Sequence, residues 1–176
     1  TIAKRIVDGD HHMEPIAVTI PEGFNINQIS DTVASKLSNF NKDAFLVGAL
    51  NLEGYLFPDT YFFLNTNTEK DVIKSMRSNF DKKIAPLRPE IISSGKSEKD
   101  IVIMASLIEG EAKGDFDRDI ISGILWKRIS IGMPLQVDVA MDTYKVRGLP
   151  KSPIGNPGLK ALIAAIHPKS SPYLYY

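Results

Sequence analysis

Apolar positions along the chain fall into short helical stripes broken by turn residues. Ile2, Ala3, Ile6 and Val7 keep helical spacing up to Gly9, as in a helix that ends there. Ile16-Ala17-Val18-Thr19-Ile20 alternates and is β-branched before Pro21-Glu22-Gly23, which predicts a strand and a turn. Behind Asn25, a capping residue, Ile26, Ile29, Val33 and Leu37 share one face and predict a helix to about Leu37. Further helices are expected over 43–50, from Glu69 to about Ile84 before Pro86 and Pro89, and from Ile101 to about Ala112 behind a Ser97/Asp100 capping pattern. Another starts after Asp117, with Ile120, Ile121, Ile124, Leu125 and Arg128 as its stripe, and closes at Gly132. Residues 134–176 hold six of the 11 prolines, so loops are expected there, with one helix over 159–166 and an aromatic strand at 173–176. Helices mixed with a few short strands make the expected class α+β.

The remaining bulk properties exclude more than they assign. The chain has 176 residues, enough for one sizeable core. Lys plus Arg and Asp plus Glu both total 21, so no net field draws it to nucleic acid or an anionic membrane. Cys is absent, which excludes disulfides, thiolate nucleophiles and Cys-based zinc sites. His11 and His12 lie far from His167, and no metal-ligand spacing occurs, so no metal or other cofactor is expected. The glycines from Gly148 to Gly158 lack the Lys-Ser/Thr pair of a phosphate loop, and no Gly-x-Ser-x-Gly is present.

Candidate chemistry therefore rests on carboxylates, amides and aromatics. At 100° per residue, Glu111 falls on the face of Ile101, Met104, Leu107 and Ile108, while Glu109 projects about 160° away on the side of Val102. The two cannot meet at one reaction centre. A carboxyl in an apolar wall holds its proton toward neutral pH, which suits a general acid. The competing reading is a Glu at a frayed helix end facing water, the commoner situation for that residue. Gln136 and Asp138 alternate on a possible short strand, and a solvated edge strand would look the same. The aromatics from Tyr55 to Phe63 suit stacking on sugar rings or, as often, a core.

Four blocks carry a resemblance: Leu52-Glu53-Gly54-Tyr55-Leu56-Phe57-Pro58-Asp59-Thr60-Tyr61, Ala105-Ser106-Leu107-Ile108-Glu109-Gly110-Glu111-Ala112, Gly132-Met133-Pro134-Leu135-Gln136-Val137-Asp138, and Gly148-Leu149-Pro150 through Pro153-Ile154-Gly155-Asn156-Pro157-Gly158. In kind and order they resemble the YceG-like (MltG) endolytic murein transglycosylases, over about residues 16–176. The resemblance implies a single α+β catalytic domain over 14–176, its C-terminal end truncated, with residues 1–13 as the tail of a truncated LysM-like module. It implies cleavage of the β-1,4 bond between N-acetylmuramic acid and N-acetylglucosamine to a 1,6-anhydro end, with Glu111 as the single acid and then base. Tyr55, Asp59, Tyr61, Gln136, Asp138, Tyr144 and Asn156 are the expected substrate-binding residues. They would line a glycan cleft between the Glu111 helix, the 55–61 block and the loops from Gln136 to Asn156. The implied partners are peptidoglycan strands and penicillin-binding synthases. The implied place is the bacterial envelope, on the outer face of the cytoplasmic membrane, reached through an anchor absent from this chain. Two departures stand out. Val137-Asp138-Val139-Ala140 lacks the usual Thr or Ser before the Asp and the Pro-Thr after it, and Ala140 runs straight into Met141-Asp142-Thr143-Tyr144 where a loop is usual. The missing loop and the truncated ends leave a non-catalytic peptidoglycan-binding or scaffold module as the alternative.

Overall fold

The computed structural model describes residues 14–112, 114 and 117–176. The helix expected over residues 2–7, the two adjacent histidines and the proposed module tail lie outside them.

The chain builds two apolar clusters and a polar seam between them. In the first, strand β1 (Ile16–Thr19) pairs antiparallel with β2 (Thr60–Phe63), setting Val18 opposite Tyr61 and Ala17 opposite Phe62. Val18, Tyr61 and Phe63 face inward, and their alternation with exposed neighbours makes this a one-sided sheet. Between the strands run α1 (Ile26–Ala34) and α2 (Lys42–Ala49). Asn25 starts α1 with a full capping box, accepting from the Asn27 and Gln28 amides while the Gln28 side chain accepts from the Asn25 amide. Ile29, Val33, Phe45 and Ala49 bury against the sheet and against Val72 and Met76 of α3 (Glu69–Ile84).

The second cluster surrounds α5 (Glu98–Glu111). Ser97 caps it at the Asp100 amide. Every residue from Ile101 to Ile108 is buried, because α5 packs on α7 (Leu159–Ile166), on α6 (Arg118–Ser130) and beneath Phe57 and Phe80. A helix covered on all sides is the centre of its domain rather than an amphipathic surface element.

Two expectations are corrected, and one helix is added to them. The helix from Glu69 ends at Ile84, before Pro86, as expected. A 3-10 turn at 85–87 and a further helix, α4 (Arg88–Ser93), come next, and each accepts its proline in the first turn, where no amide donor is needed. Gln136 to Asp138 is an irregular turn, not a strand, and only Pro134 bridges, to Arg147. Tyr173–Tyr176 forms no strand but lies along α6. Among the described residues no helix is long and apolar enough to cross a membrane.

Candidate active site

The blocks that stand out in the sequence separate into two places. One is the seam between the clusters. Asn156 is fully buried there. Its Oδ1 accepts from the Leu56 amide at 2.8 Å, and its Nδ2 donates to the Phe24 carbonyl and to Glu53 Oε1, each at 2.9 Å. The other Glu53 oxygen accepts from the Ile26 amide at 3.2 Å. Burial raises the Glu53 carboxyl above its ordinary range, opposed by the hydrogen bonds it accepts. Gly54 takes φ +86°, and a Cβ on it would lie 2.5 Å from Pro153. At Gly155 a Cβ would fall 2.3 Å from the Gly23 carbonyl oxygen, so these loops close only with glycine. Ser106, in the middle of α5, accepts from the Ile154 amide at 3.2 Å and joins the same seam.

Tyr55, Asp59 and Tyr61 also lie on this side of the molecule. Tyr55 meets Phe80 edge to face at 5.1 Å, with the Arg77 guanidinium over its ring. The Tyr61 hydroxyl donates to the Phe57 carbonyl at 2.6 Å and accepts from Asn79, which also donates to Asp59. Burial pushes the Tyr61 hydroxyl up to about 12. Tyr55 and Tyr61 thus pack the junction, while Asp59 and Tyr61 also line a cavity of about 700 Å³ with Asn79 and Lys82, separate from the one that holds Glu111.

The second place is a cavity of about 790 Å³ at the C-terminal end of α5, within the range of ligand sites. It gathers Glu111, Gln136, Asp138 and Tyr144 from three separate blocks. Glu111 Oε1 accepts from the Val139 amide at 3.2 Å, and Tyr176 lines the cavity with it. Burial first, then the nearby Glu111 carboxylate, raise the Tyr176 hydroxyl above its ordinary range. The Tyr144 hydroxyl donates to Asp138 Oδ1, and this bond is the main cause of the upward shift of Tyr144. Gln136 sits at φ +51°, a left-handed conformation that costs a non-glycine residue about 1 kcal/mol or more.

The expected surroundings of Glu111 need correction. Its carboxyl does not lie in a uniformly apolar wall: Ile120, Ile121 and Ile124 flank the cavity on one side, but Asp117, Asp138 and tyrosines line the rest. The more enclosed carboxylate is Glu109, whose side chain is only 6% exposed. It pairs with Arg118 at 2.9 Å and accepts from the Gly158 amide at 2.9 Å. The helical wheel misjudges the pair because it assumes one buried face, whereas α5 is buried all round and the far side of the helix end is covered by α6 and the 158 turn. Glu109 and Glu111 still point to different environments, as their spacing requires.

Arg128, Asp117, Tyr175 and Tyr176 also line the cavity, beyond the residues that the sequence points to. The signal for Arg128 is its place in an isoleucine and leucine stripe. For the tyrosines it is an aromatic density that resembles a strand. Among the described residues no group of three or more His, Asp or Glu could hold a metal ion.

An α+β domain with an open, acid-lined cleft at the end of its central helix is the class that fold and site define. The chain belongs to the YceG-like family, whose model matches residues 1–142 and 140–176. The two pieces meet where Ala140 runs into the 141–144 turn. The chain is similar to the endolytic murein transglycosylase of Streptococcus pneumoniae serotype 2 (strain D39 / NCTC 7466), 29% identical over 228 aligned positions that cover 95% of this chain and 41% of that protein. To the endolytic murein transglycosylase of Bacillus subtilis (strain 168) it is 32% identical over 176 positions, covering 86% of this chain and 48% of the relative. It therefore spans under half the length of these curated relatives. Its fold matches the crystal structure of a yceG-like protein from Listeria monocytogenes with a TM-score of 0.80 and 27% identity, over 99% of this chain and 73% of that one.

Proposed function

We propose that this chain carries the catalytic part of an endolytic murein transglycosylase, cleaving the β-1,4 bond between N-acetylmuramic acid and N-acetylglucosamine inside peptidoglycan strands. The observation that carries this reading is the meeting of Glu111, Gln136, Asp138 and Tyr144 in one open cavity, in a chain whose matched relatives bear that name. Glu111 protonates the glycosidic oxygen. As a carboxylate it then takes the proton from the muramyl 6-hydroxyl, which attacks its own C1 and leaves the 1,6-anhydro end. The glycosidic bond breaks, an intramolecular C–O bond forms, and no water is consumed. The Val139 amide donates to Glu111 Oε1 and orients the carboxyl toward the cavity.

Gln136, Asp138 and Tyr144 bind the sugars in this scheme. Gln136 offers a carboxamide to the acetamido or hydroxyl groups, and the hydrogen-bonded Asp138 and Tyr144 pair offers its negative charge to the positive charge that develops at C1. One acid suffices, because the substrate supplies its own nucleophile. Asn156, Tyr55, Asp59 and Tyr61 act at a distance in this reading, by joining the two halves of the domain. The working place is the bacterial envelope, on peptidoglycan and beside penicillin-binding synthases. Incubating purified sacculi with the protein should release fragments with anhydro-muramyl ends, identified by mass spectrometry. Binding to sacculi without such ends would instead establish a non-catalytic glycan-binding module.

A further inference from the structure

We infer that Arg128 is the positioning residue of the cavity, tying the turn that carries Gln136 and Asp138 to the segment that carries Tyr175 and Tyr176. The inference rests on the reading of the Glu111 cavity as the active site.

Arg128 is only 2% exposed, in a helix stripe shared with Ile121, Ile124 and Leu125. Arginine is almost never buried to that degree unless its donors are spent on something specific. Nη1 donates to the Leu135 carbonyl at 2.5 Å, and Nε donates to the Leu174 carbonyl at 2.6 Å. The guanidinium carbon also stands 4.6 Å from the centre of the Tyr175 ring. The two carbonyls belong to segments without regular secondary structure, and each immediately precedes residues that line the cavity.

On the first segment, Gln136 is held in its left-handed conformation from both sides. Arg128 fixes the preceding carbonyl. Thr143 holds the other side, its carbonyl accepting from the Gln136 amide at 3.2 Å and its hydroxyl accepting from the Val137 amide at 2.9 Å. A strained residue persists only where its surroundings over-determine it, and here they do. On the second segment, Lys127 fixes the carbonyls of Ser171 and Pro172, which leaves Arg128 to hold the last stretch. From that stretch Tyr175 and Tyr176 enter the cavity that holds Glu111. The guanidinium presents Nη1 and Nε from one rigid plane toward carbonyls on two separate segments, whereas the Lys127 ammonium serves two adjacent carbonyls of a single segment.

The test compares the wild-type chain with Arg128→Lys, Arg128→Gln and Thr143→Val, by hydrogen exchange and by turnover of soluble glycan strands. In both Arg128 variants exchange should rise at least about tenfold over 135–140 and 173–176 together, with α5 and α7 unchanged. Their kcat should fall by about 10- to 100-fold with KM nearly constant, as for a misplaced constellation. Thr143→Val should loosen 135–140 alone. Unchanged exchange at either segment, loosening with undiminished kcat, or loss of cooperative folding in both Arg128 variants would each overturn the proposal. A wild-type chain that makes no anhydro ends would instead count against the activity, while the exchange pattern still decides whether Arg128 ties the segments.

Discussion

The seam around Asn156 and the cavity around Glu111 are both built from polar groups drawn out of the chain's distinctive blocks, yet they are built in opposite ways. At the seam, Asn156 and Glu53 are enclosed and turned toward backbone partners, and glycines let the loops touch. Polar groups used in this way hold one arrangement and have nothing left for a ligand. At the cavity, Gln136 and Asp138 are exposed, Glu111 is half-buried, and the backbone at Gln136 is strained. Groups kept open and slightly strained add little to stability and remain available for chemistry. A prominent motif can therefore mark either a joint or a reaction centre, and only the surroundings of its side chains tell which. The neighbours Glu109 and Glu111 put both uses within a single turn of α5.

That contrast yields predictions of decreasing size. Glu111→Gln should lower glycan turnover by about 10²- to 10⁴-fold, the usual loss when an acid–base group is removed. Its melting temperature should stay within a degree or two of wild type, because Gln keeps an oxygen for the Val139 amide. A variant that remained active would place the acid elsewhere. Glu109→Gln should do the reverse. Replacing the carboxylate that meets Arg118 by a neutral amide, in a site where the two side chains are only 11% and 6% exposed, should cost about 3 kcal/mol in urea unfolding. Activity per folded molecule should change little.

Asn156→Ala removes the partner of one buried amide, a carbonyl and a carboxylate, so a loss of about 2–3 kcal/mol is expected in the same assay. Gln136→Gly should raise stability by about 1 kcal/mol, since glycine accepts φ +51° without strain, while turnover falls with the lost carboxamide. A stabilised variant with full activity would remove Gln136 from the site. The smallest effect concerns Glu53. Folded, it binds its proton more tightly than the ordinary value of 4.5 allows, so folding takes up a proton between 4.5 and the raised value. Its favourable contribution is complete below that window and declines as pH rises through it. Unfolding free energies measured across this range should fall with pH more steeply for wild type than for Glu53→Gln. Equal slopes would mean that Glu53 titrates alike in the folded and unfolded chain.

Periodicity and capping chemistry are local, and they suffice for most elements. Asn25 and Ser97 start helices where expected, α3 spans Glu69–Ile84 and α7 spans Leu159–Ile166, because spacing and caps act within a turn or two. The resemblance carried by the blocks reached the family and the candidate Glu111. The sequence alone could not say that α5 is enclosed on every side, because that depends on helices 20 to 60 residues away folding back over it. For the same reason it could not tell that Glu109 is the carboxylate locked in an ion pair and Glu111 the one left open. Nor could it separate the Asn156 seam from the Glu111 cavity: alternation and aromatic density look alike in a joint and a cleft. Arg128 was legible only as one polar residue in an apolar stripe, since the carbonyls that explain its burial belong to Leu135 and Leu174, which tertiary folding alone brings to the same side of α6.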